Sequence, residues 1–275
     1  MTETREDPTG QALREPVDLV GAITRELAGT AGRVVVVGGD AAAARGLRAE
    51  GVEIVAVDDS AAPPNTTTPG NAAAANRAGG GGSTAVSALS AFRIVVRGLP
   101  RALPIRTGGA AAVVAAHRLH EADDVDAALA EFARVLAPGG KVVVAANALG
   151  DRRELRGLWA TAARDCGVLD PPPLLEADSR FPLDHAQAWL SRHFTDVRVV
   201  PLRGTVALDA DAVAALLRAQ RPAAAGVTWD LLASVVESRV RDVAAAEGGF
   251  TLSTLTGLAV GIRGTGPDPG PPTAK

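Results

Sequence analysis

Short apolar runs alternate along the chain with segments in which apolar residues recur every three or four positions. The runs at 33–37 and 52–57 end in Gly38-Gly39 and Asp58-Asp59, and an Ala-rich segment lies between them. β-Branched runs that stop at turn residues are typical of buried strands, and a helical segment between two of them is typical of a β-α-β unit. The pattern therefore predicts parallel strands joined by helices from residue 33 onward.

A helix is predicted ahead of the first strand. Pro16 suits a first helical turn, and apolar side chains then recur at helical spacing at Leu19, Val20, Ile23 and Leu27. We expect this helix to cover one edge of the sheet.

The clearest helix in the sequence precedes a buried strand. Asp123 or Asp124 can cap its start, and Pro138-Gly139-Gly140 is expected to stop it. Residues 141–146 follow as an apolar run without polar alternation, which indicates a strand that is covered on both faces. The apolar face of this predicted helix consists of Val125, Ala128, Leu129, Phe132, Val135 and Leu136. Further strands are predicted at 92–96 and 111–116.

The second half of the chain changes character after residue 147. Helices are predicted at 155–165, 185–193, 211–219 and 228–246, with late strands at 197–202 and 251–262. We expect 151–195 and 208–247 to form a helical cap on a single domain that spans 16–263. Residues 1–15 and 264–275 are predicted tails, and 61–90 a low-complexity loop, because Pro, Gly and polar residues interrupt every candidate element there.

Composition narrows the classes of function. The formal net charge is −3 over 275 residues, which gives no electrostatic footprint for nucleic acid or an anionic membrane. No run of about 18 uncharged apolar residues occurs, and the polar N-terminus does not resemble a signal peptide. The single cysteine and four histidines lack metal-ligand spacing. We expect a cytoplasmic protein, a monomer or homodimer, that handles small molecules without a metal.

The first β-α turn is the first place to look for a ligand. Gly38 and Gly39 permit a sharp turn and a close approach of backbone to ligand. Asp58, at the end of the second apolar run, lies 20 residues after Gly38 (58 − 38 = 20) and can accept two hydrogen bonds from ribose hydroxyls. This spacing fits both dinucleotide sites and S-adenosylmethionine sites.

A later segment separates these two possibilities. Residues 115–147, AAHRLHEADDVDAALAEFARVLAPGGKVVVAAN, resemble class I S-adenosylmethionine-dependent methyltransferases in the motif R-V-L-x-P-G-G before strand five. Residues 98–105, GLPRALPI, are similar to that family's G-D-A-E-x-L-P-F segment, and Asn147 with Asp151 is similar to a subgroup with W-N-x-x-D.

This resemblance implies a fold, a cofactor and a reaction. The fold is a Rossmann-like α/β domain with a doubly wound, mostly parallel seven-stranded sheet, an antiparallel last strand and a helical cap. The cofactor is S-adenosyl-L-methionine, and the reaction is methyl transfer to a small-molecule acceptor. The implied cofactor-binding residues are Gly38, Gly39, Asp40, Asp58, Asp59, Gly98, Leu99 and Ala115.

Four positions depart from the family's pattern. Val36 stands where the first motif usually has an acid, and Ala42 replaces a later glycine. Leu99 replaces the acid that commonly binds the adenine amino group, and Ala111 replaces the Asp that often opens strand four. These departures keep two alternatives open, namely a catalytically inactive binding or regulatory protein and non-methylating chemistry in the same pocket.

His117 and His120 are the candidate catalytic residues, as general bases. Both follow the fourth predicted strand, and the pKa range of histidine suits proton transfer near neutrality. The alternative is that His120 belongs to a structural L-H motif and that His117 is a half-buried polar residue. His185 and His193 are expected to be solvated or packing residues.

Overall fold

The apolar runs form the strands of one sheet. The computed structural model describes residues 17–38, 52–58, 94–97, 100–175, 180–222 and 224–265. Within these ranges the strands lie in the order β3-β2-β1-β4-β5-β7-β6, and β7 alone runs antiparallel to its neighbours. The predicted doubly wound sheet with an antiparallel last strand is confirmed. The strands are β1 (Gly32–Val37), β2 (Val52–Asp58), β3 (Ile94–Arg97), β4 (Ala110–Ala116), β5 (Leu136–Asn147), β6 (Thr195–Leu208) and β7 (Phe250–Ile262).

Helices cover both faces of this sheet, and aspartates cap several of them. The Asp18 and Asp124 carboxylates accept the amide hydrogens of Gly21 and Ala127 at 2.7 and 3.0 Å, which satisfies donors that a helix start leaves unpaired. A 3₁₀ turn, Leu119–Glu121, follows β4. The α-helices of the described ranges are α1 (Leu19–Glu26), α2 (Val125–Val135), α3 (Arg153–Asp165), α4 (Leu183–Leu190), α5 (Ala210–Ala219) and α6 (Val227–Glu247).

Helix α1 lies over the middle of one face, so the expectation that it covers a sheet edge was wrong. Ile23 is fully buried and packs in one cluster with Val34 of β1, Val114 of β4 and Val260 of β7. A wide apolar face can cross several strands, whereas an edge offers contacts on one side only. The start of α1 thereby comes near the carboxyl ends of the central strands.

Strand β5 begins five residues earlier than expected. Leu136 pairs with Ala110 and Lys141 pairs with Ala112, so the Pro138-Gly139-Gly140 segment bulges out between two ladder pairs. Gly139 has φ +77°, and its amide donates to the Arg263 carbonyl at 2.9 Å. Helix α2 ends at Val135, ahead of these three residues, and Leu136, which was predicted to lie on the helical face, is extended and begins β5. Within the bulge, glycine permits the left-handed turn at position 139.

Strands β6 and β7 pair with each other as an antiparallel β6–β7 ladder, part of which projects past the rest of the sheet, although helices α5 and α6 lie between the two strands in the chain. β7 pairs with β5 only from Thr256 to Ile262, whereas its first six residues pair with β6 alone. Six strand residues span about 20 Å. Helices α3, α5 and α6 pack on this projection around Trp159 and Trp229, whose ring centroids lie 5.3 Å apart.

The segments expected to form the cap divide between two clusters. α4 packs on β5, β6 and β7 in the same apolar cluster as α2, while α3, α5 and α6 form the second cluster with the projecting part of the β6–β7 ladder. In the described part of the chain, no helix has the length and apolar character that a membrane span requires.

Candidate functional site

The order of the strands reverses between β1 and β4, and their carboxyl ends form the floor of the candidate site. In open α/β sheets ligands bind beyond this point. Gly38 follows β1 with φ +93°, and its amide donates to the Val57 carbonyl at 2.8 Å. A side chain is strained in that conformation, so the turn after β1 depends on glycine at position 38.

The side chain of Arg118 lies directly against this turn. A Cβ atom on Gly38 would stand 2.2 Å from Arg118 Cγ and 2.7 Å from its Nε. The Arg118 guanidinium pairs with Glu121 at 2.5 Å, and both side chains line a small pocket together with Pro100 and Arg101. The absence of a side chain at Gly38 thus leaves room for the aliphatic part of the Arg118 side chain, which comes from the segment after β4.

The remaining cofactor candidates fall into three groups. Asp58 is the last residue of β2, in register with Arg97, which puts its backbone at the same sheet edge as Gly38. Ala115 is completely buried within β4, and its methyl group packs in the core, so its side chain faces no pocket. Gly39, Asp40, Asp59, Gly98 and Leu99 lie outside the described residues.

Val36 turns away from the floor of the site. It is 1% exposed and packs in the cluster that contains Ile23 of α1. The position where the family usually carries an acid therefore serves the core beneath α1, and in the described part of β1 no carboxylate reaches the sheet edge.

An open cleft of about 190 Å³ lies past the ends of β4 and β5. The start of α1 borders one side of it and the projecting β6–β7 ladder borders the other. Sequence patterns did not predict that residues of this ladder line a site, because a Thr or Val on a half-buried strand is ordinary. The lining residues are Val17, Leu19, His117, Asn147, Asp151, Arg152, Val206, Thr254 and Thr256.

The two candidate bases lie in different surroundings. His117 lines the cleft, is half-buried and has φ +50°, while its amide donates to the Ala145 carbonyl at 3.0 Å. Left-handed backbone at a residue other than glycine costs free energy and concentrates at functional sites. His120 lies in the 3₁₀ turn with Nε2 3.7 Å from Glu121 Oε1, and it does not line the cleft.

The other two histidines lie on or after α4, away from this edge. His193 Nε2 lies 3.1 Å from Asp126 Oδ1, and this hydrogen bond, joined by a smaller one from Arg192, lowers the pKa of the Asp126 carboxyl against a partial desolvation penalty. His185 is exposed.

Asp151 connects the loop after β5 to β7 in the projecting β6–β7 ladder. It is only 2% exposed, accepts the Leu255 amide hydrogen at 2.7 Å, and lies 3.3 Å from Arg152 Nε. The Arg152 amide donates to the Ser253 carbonyl at 3.0 Å, and Arg152 itself has φ +51°. The wall of the cleft is therefore held by a buried carboxylate with one oxygen on the Leu255 amide and the other facing Arg152.

Glu154 continues this attachment at the start of α3. Its carboxylate accepts the Ser253 amide hydrogen at 2.9 Å and the Ser253 hydroxyl hydrogen at 2.5 Å. Desolvation raises the pKa of Glu154, but the hydrogen bonds from Ser253 outweigh it, so the pKa lies below its ordinary value of 4.5.

We expect Glu154→Gln to reduce the free energy of unfolding most at neutral pH. A depressed carboxyl pKa contributes stability above the unfolded-state pKa, and that contribution disappears as the pH falls through the folded-state pKa. Urea unfolding at pH 7 and at about pH 3 measures the difference from wild type, which should shrink at the lower pH. A difference that is equal at both pH values would contradict this assignment.

Residues 34–144, which run from β1 into β5, match the family model of a methyltransferase domain. A comparison with curated protein sequences found no significant match.

Solved structures of low sequence identity share the fold. The YcgJ protein from Bacillus subtilis superposes with a TM-score of 0.55 at 15% identity, over 90% of this chain and 98% of that one. A protein from Bacillus halodurans, proposed to be a methyltransferase, gives 0.55 at 12% identity, over 90% and 99% of the two chains. The resemblance of 115–147 to class I methyltransferases is thus confirmed for the domain family and for the fold.

Proposed function

We propose that this chain, whose residues 34–144 are a methyltransferase domain of the class I S-adenosylmethionine-dependent family, transfers a methyl group to a small-molecule acceptor bound beside His117. The observation that carries the proposal is the cleft itself. It opens at the carboxyl edge of β4 and β5, next to the reversal of strand order, and contains a histidine in strained backbone. S-adenosylmethionine, when bound, supplies an electrophilic methyl group on a positively charged sulfur.

The described residues fit the cofactor in two places. Gly38 lets the backbone turn without a Cβ atom at the end of β1, and Asp58 ends the neighbouring strand, where a carboxylate can accept hydrogen bonds from ribose hydroxyls. We propose Gly39, Asp40, Asp59, Gly98 and Leu99 as further cofactor contacts from their sequence positions. Val36 supplies no charge for the cofactor's ammonium group.

The lining of the cleft favours a small acceptor with an apolar body and at least one polar group. Val17, Leu19 and Val206 provide apolar walls, while His117 and Asn147 provide polar contacts. Pockets for drug-sized ligands commonly measure about 300–1,000 Å³, so 190 Å³ suits a smaller molecule. Before transfer, His117 would accept the proton of an acceptor hydroxyl, which makes the oxygen more nucleophilic, or the proton of an acceptor ammonium group, which frees the nitrogen lone pair to attack the methyl group.

Titration calorimetry with S-adenosylmethionine and S-adenosylhomocysteine tests the proposal. We expect micromolar dissociation constants for both. An absence of heat and of any thermal shift at millimolar ligand would refute the methyltransferase proposal and favour non-methylating chemistry or an inactive protein, an alternative that rests on Val36, Ala42, Leu99 and Ala111 alone.

We expect Asp58→Ala to weaken the binding of S-adenosylhomocysteine by about tenfold to a hundredfold. A hydrogen bond to a charged group contributes about 1.5–3 kcal/mol, and each 1.4 kcal/mol corresponds to a factor of ten in affinity. Calorimetry measures the change, and Asp170→Ala, at an exposed position after α3, is the matched control. Equal affinities for the two variants would refute the ribose assignment of Asp58.

A further inference from the structure

Arg118 places a cationic side chain beside the turn after β1. Its aliphatic stem passes so close to Gly38 that a Cβ there would overlap Arg118 Cγ at 2.2 Å. The stem holds the guanidinium at the carboxyl edge of β1 and β4, where the strand order reverses. A charge fixed at this point acts directly on a ligand bound over the first turn.

The ion pair between Arg118 and Glu121, which the described part of the chain shows, is exchangeable. Glu121 lies three residues along the same turn, and its side chain is 50% exposed, against 24% for Arg118. Ion pairs with such access to water contribute little to stability, so a competing carboxylate can replace Glu121 at small cost. Glu121, at the end of the 3₁₀ turn, orients the guanidinium of Arg118, the residue just before that turn.

The chemistry of the cofactor indicates what Arg118 would meet. S-adenosylmethionine carries a sulfonium, an ammonium and one anionic group, the carboxylate of its methionyl part. Guanidinium binds carboxylate through two parallel hydrogen bonds and holds its charge at all physiological pH values. Val36 of β1 packs in the core and offers no charge to the ammonium group, so among the described residues near this turn Arg118 can fix the methionyl end through its carboxylate.

We propose that Arg118 binds the methionyl carboxylate of the cofactor and exchanges Glu121 for it. This inference rests on the proposed function. It predicts that Arg118 distinguishes adenosyl ligands that have an amino-acid carboxylate from those that lack one. S-adenosylhomocysteine has the carboxylate, and 5′-methylthioadenosine has the same adenosyl thioether without it.

Calorimetry with these two ligands on three variants tests the inference. We expect Arg118→Gln to weaken S-adenosylhomocysteine at least about tenfold and 5′-methylthioadenosine less than about threefold. Arg118→Lys should fall between wild type and Arg118→Gln, because lysine keeps the charge without the paired hydrogen bonds. Glu121→Gln should tighten S-adenosylhomocysteine several-fold and leave 5′-methylthioadenosine unchanged, because it removes the competitor.

Arg33→Gln is the matched control, because Arg33 pairs with Glu53 at 3.1 Å at the opposite end of β1. Equal weakening of both ligands by Arg118→Gln, or no effect of Glu121→Gln, would overturn the carboxylate assignment while leaving the proposed function intact. If the wild-type protein binds neither ligand, the proposed function fails and the inference with it.

Discussion

Replacing His117 by Asn is expected to lower the rate of methyl transfer by about a hundredfold to ten-thousandfold, the range that general base catalysis contributes. Asn tolerates left-handed backbone, so the φ of +50° at this position can be kept while the basic nitrogen is lost. His117 lines the cleft and hydrogen-bonds through its backbone to Ala145, so the substitution leaves the sheet edge intact.

His120→Asn provides the matched control for this prediction. His120 lies three residues away, beside Glu121 and outside the cleft lining, and its loss should change the rate less than about threefold. The release of S-adenosylhomocysteine in the presence of a panel of small phenols, carboxylic acids and amines measures both variants. Dissociation constants for S-adenosylhomocysteine should stay within about twofold of wild type in both.

The pH dependence separates a base from a residue that merely shapes the cleft. A general base must be unprotonated, so the wild-type rate should fall on the acid side of the profile, and His117→Asn should lose that acid limb. A full rate in His117→Asn, or an equal loss in His120→Asn, would show that the base lies elsewhere or that the acceptor needs none.

Local patterns in the sequence predicted the sheet but not the extent of its strands. Each buried strand of the parallel part is a continuous apolar run, so β1, β2 and β4 were found within one or two residues. β6 was predicted at 197–202 but extends from Thr195 to Leu208. The prediction stopped at residue 202 because Arg203 and Gly204 interrupt the apolar run on a strand that is largely open to solvent. An edge strand tolerates such residues, and periodicity alone does not show this.

Sequence patterns predicted only those parts of the candidate site that lie within one short segment of the chain. The turn at Gly38 and the histidine after β4 follow directly from the ends of apolar runs. The cleft, however, brings together Leu19, Asn147 and Thr254, which are far apart in sequence. They meet because α1 lies over the middle of the sheet and the β6–β7 ladder projects beyond it. No local spacing encodes such an arrangement.

Asp151 offers the largest expected effect on stability. We expect Asp151→Ala to lower the free energy of unfolding by about 2–3 kcal/mol, because the Leu255 amide loses a charged acceptor in a partly buried place. Fully buried ion pairs lose about 3–5 kcal/mol when one partner is removed. The smaller figure applies here because the Arg152 side chain is 25% exposed and can be hydrated.

Asp151→Asn separates the hydrogen bond that this carboxylate accepts from Leu255 from its ion pair with Arg152. The Asn oxygen can still accept the Leu255 amide hydrogen, whereas the charge opposite Arg152 is lost, so this variant should retain at least half of the stability that Asp151→Ala loses. Urea unfolding followed by circular dichroism measures both, with Asp170→Ala as an exposed control. Equal destabilisation by Ala and Asn would mean that the ion pair with Arg152, rather than the bond to β7, holds the wall of the cleft.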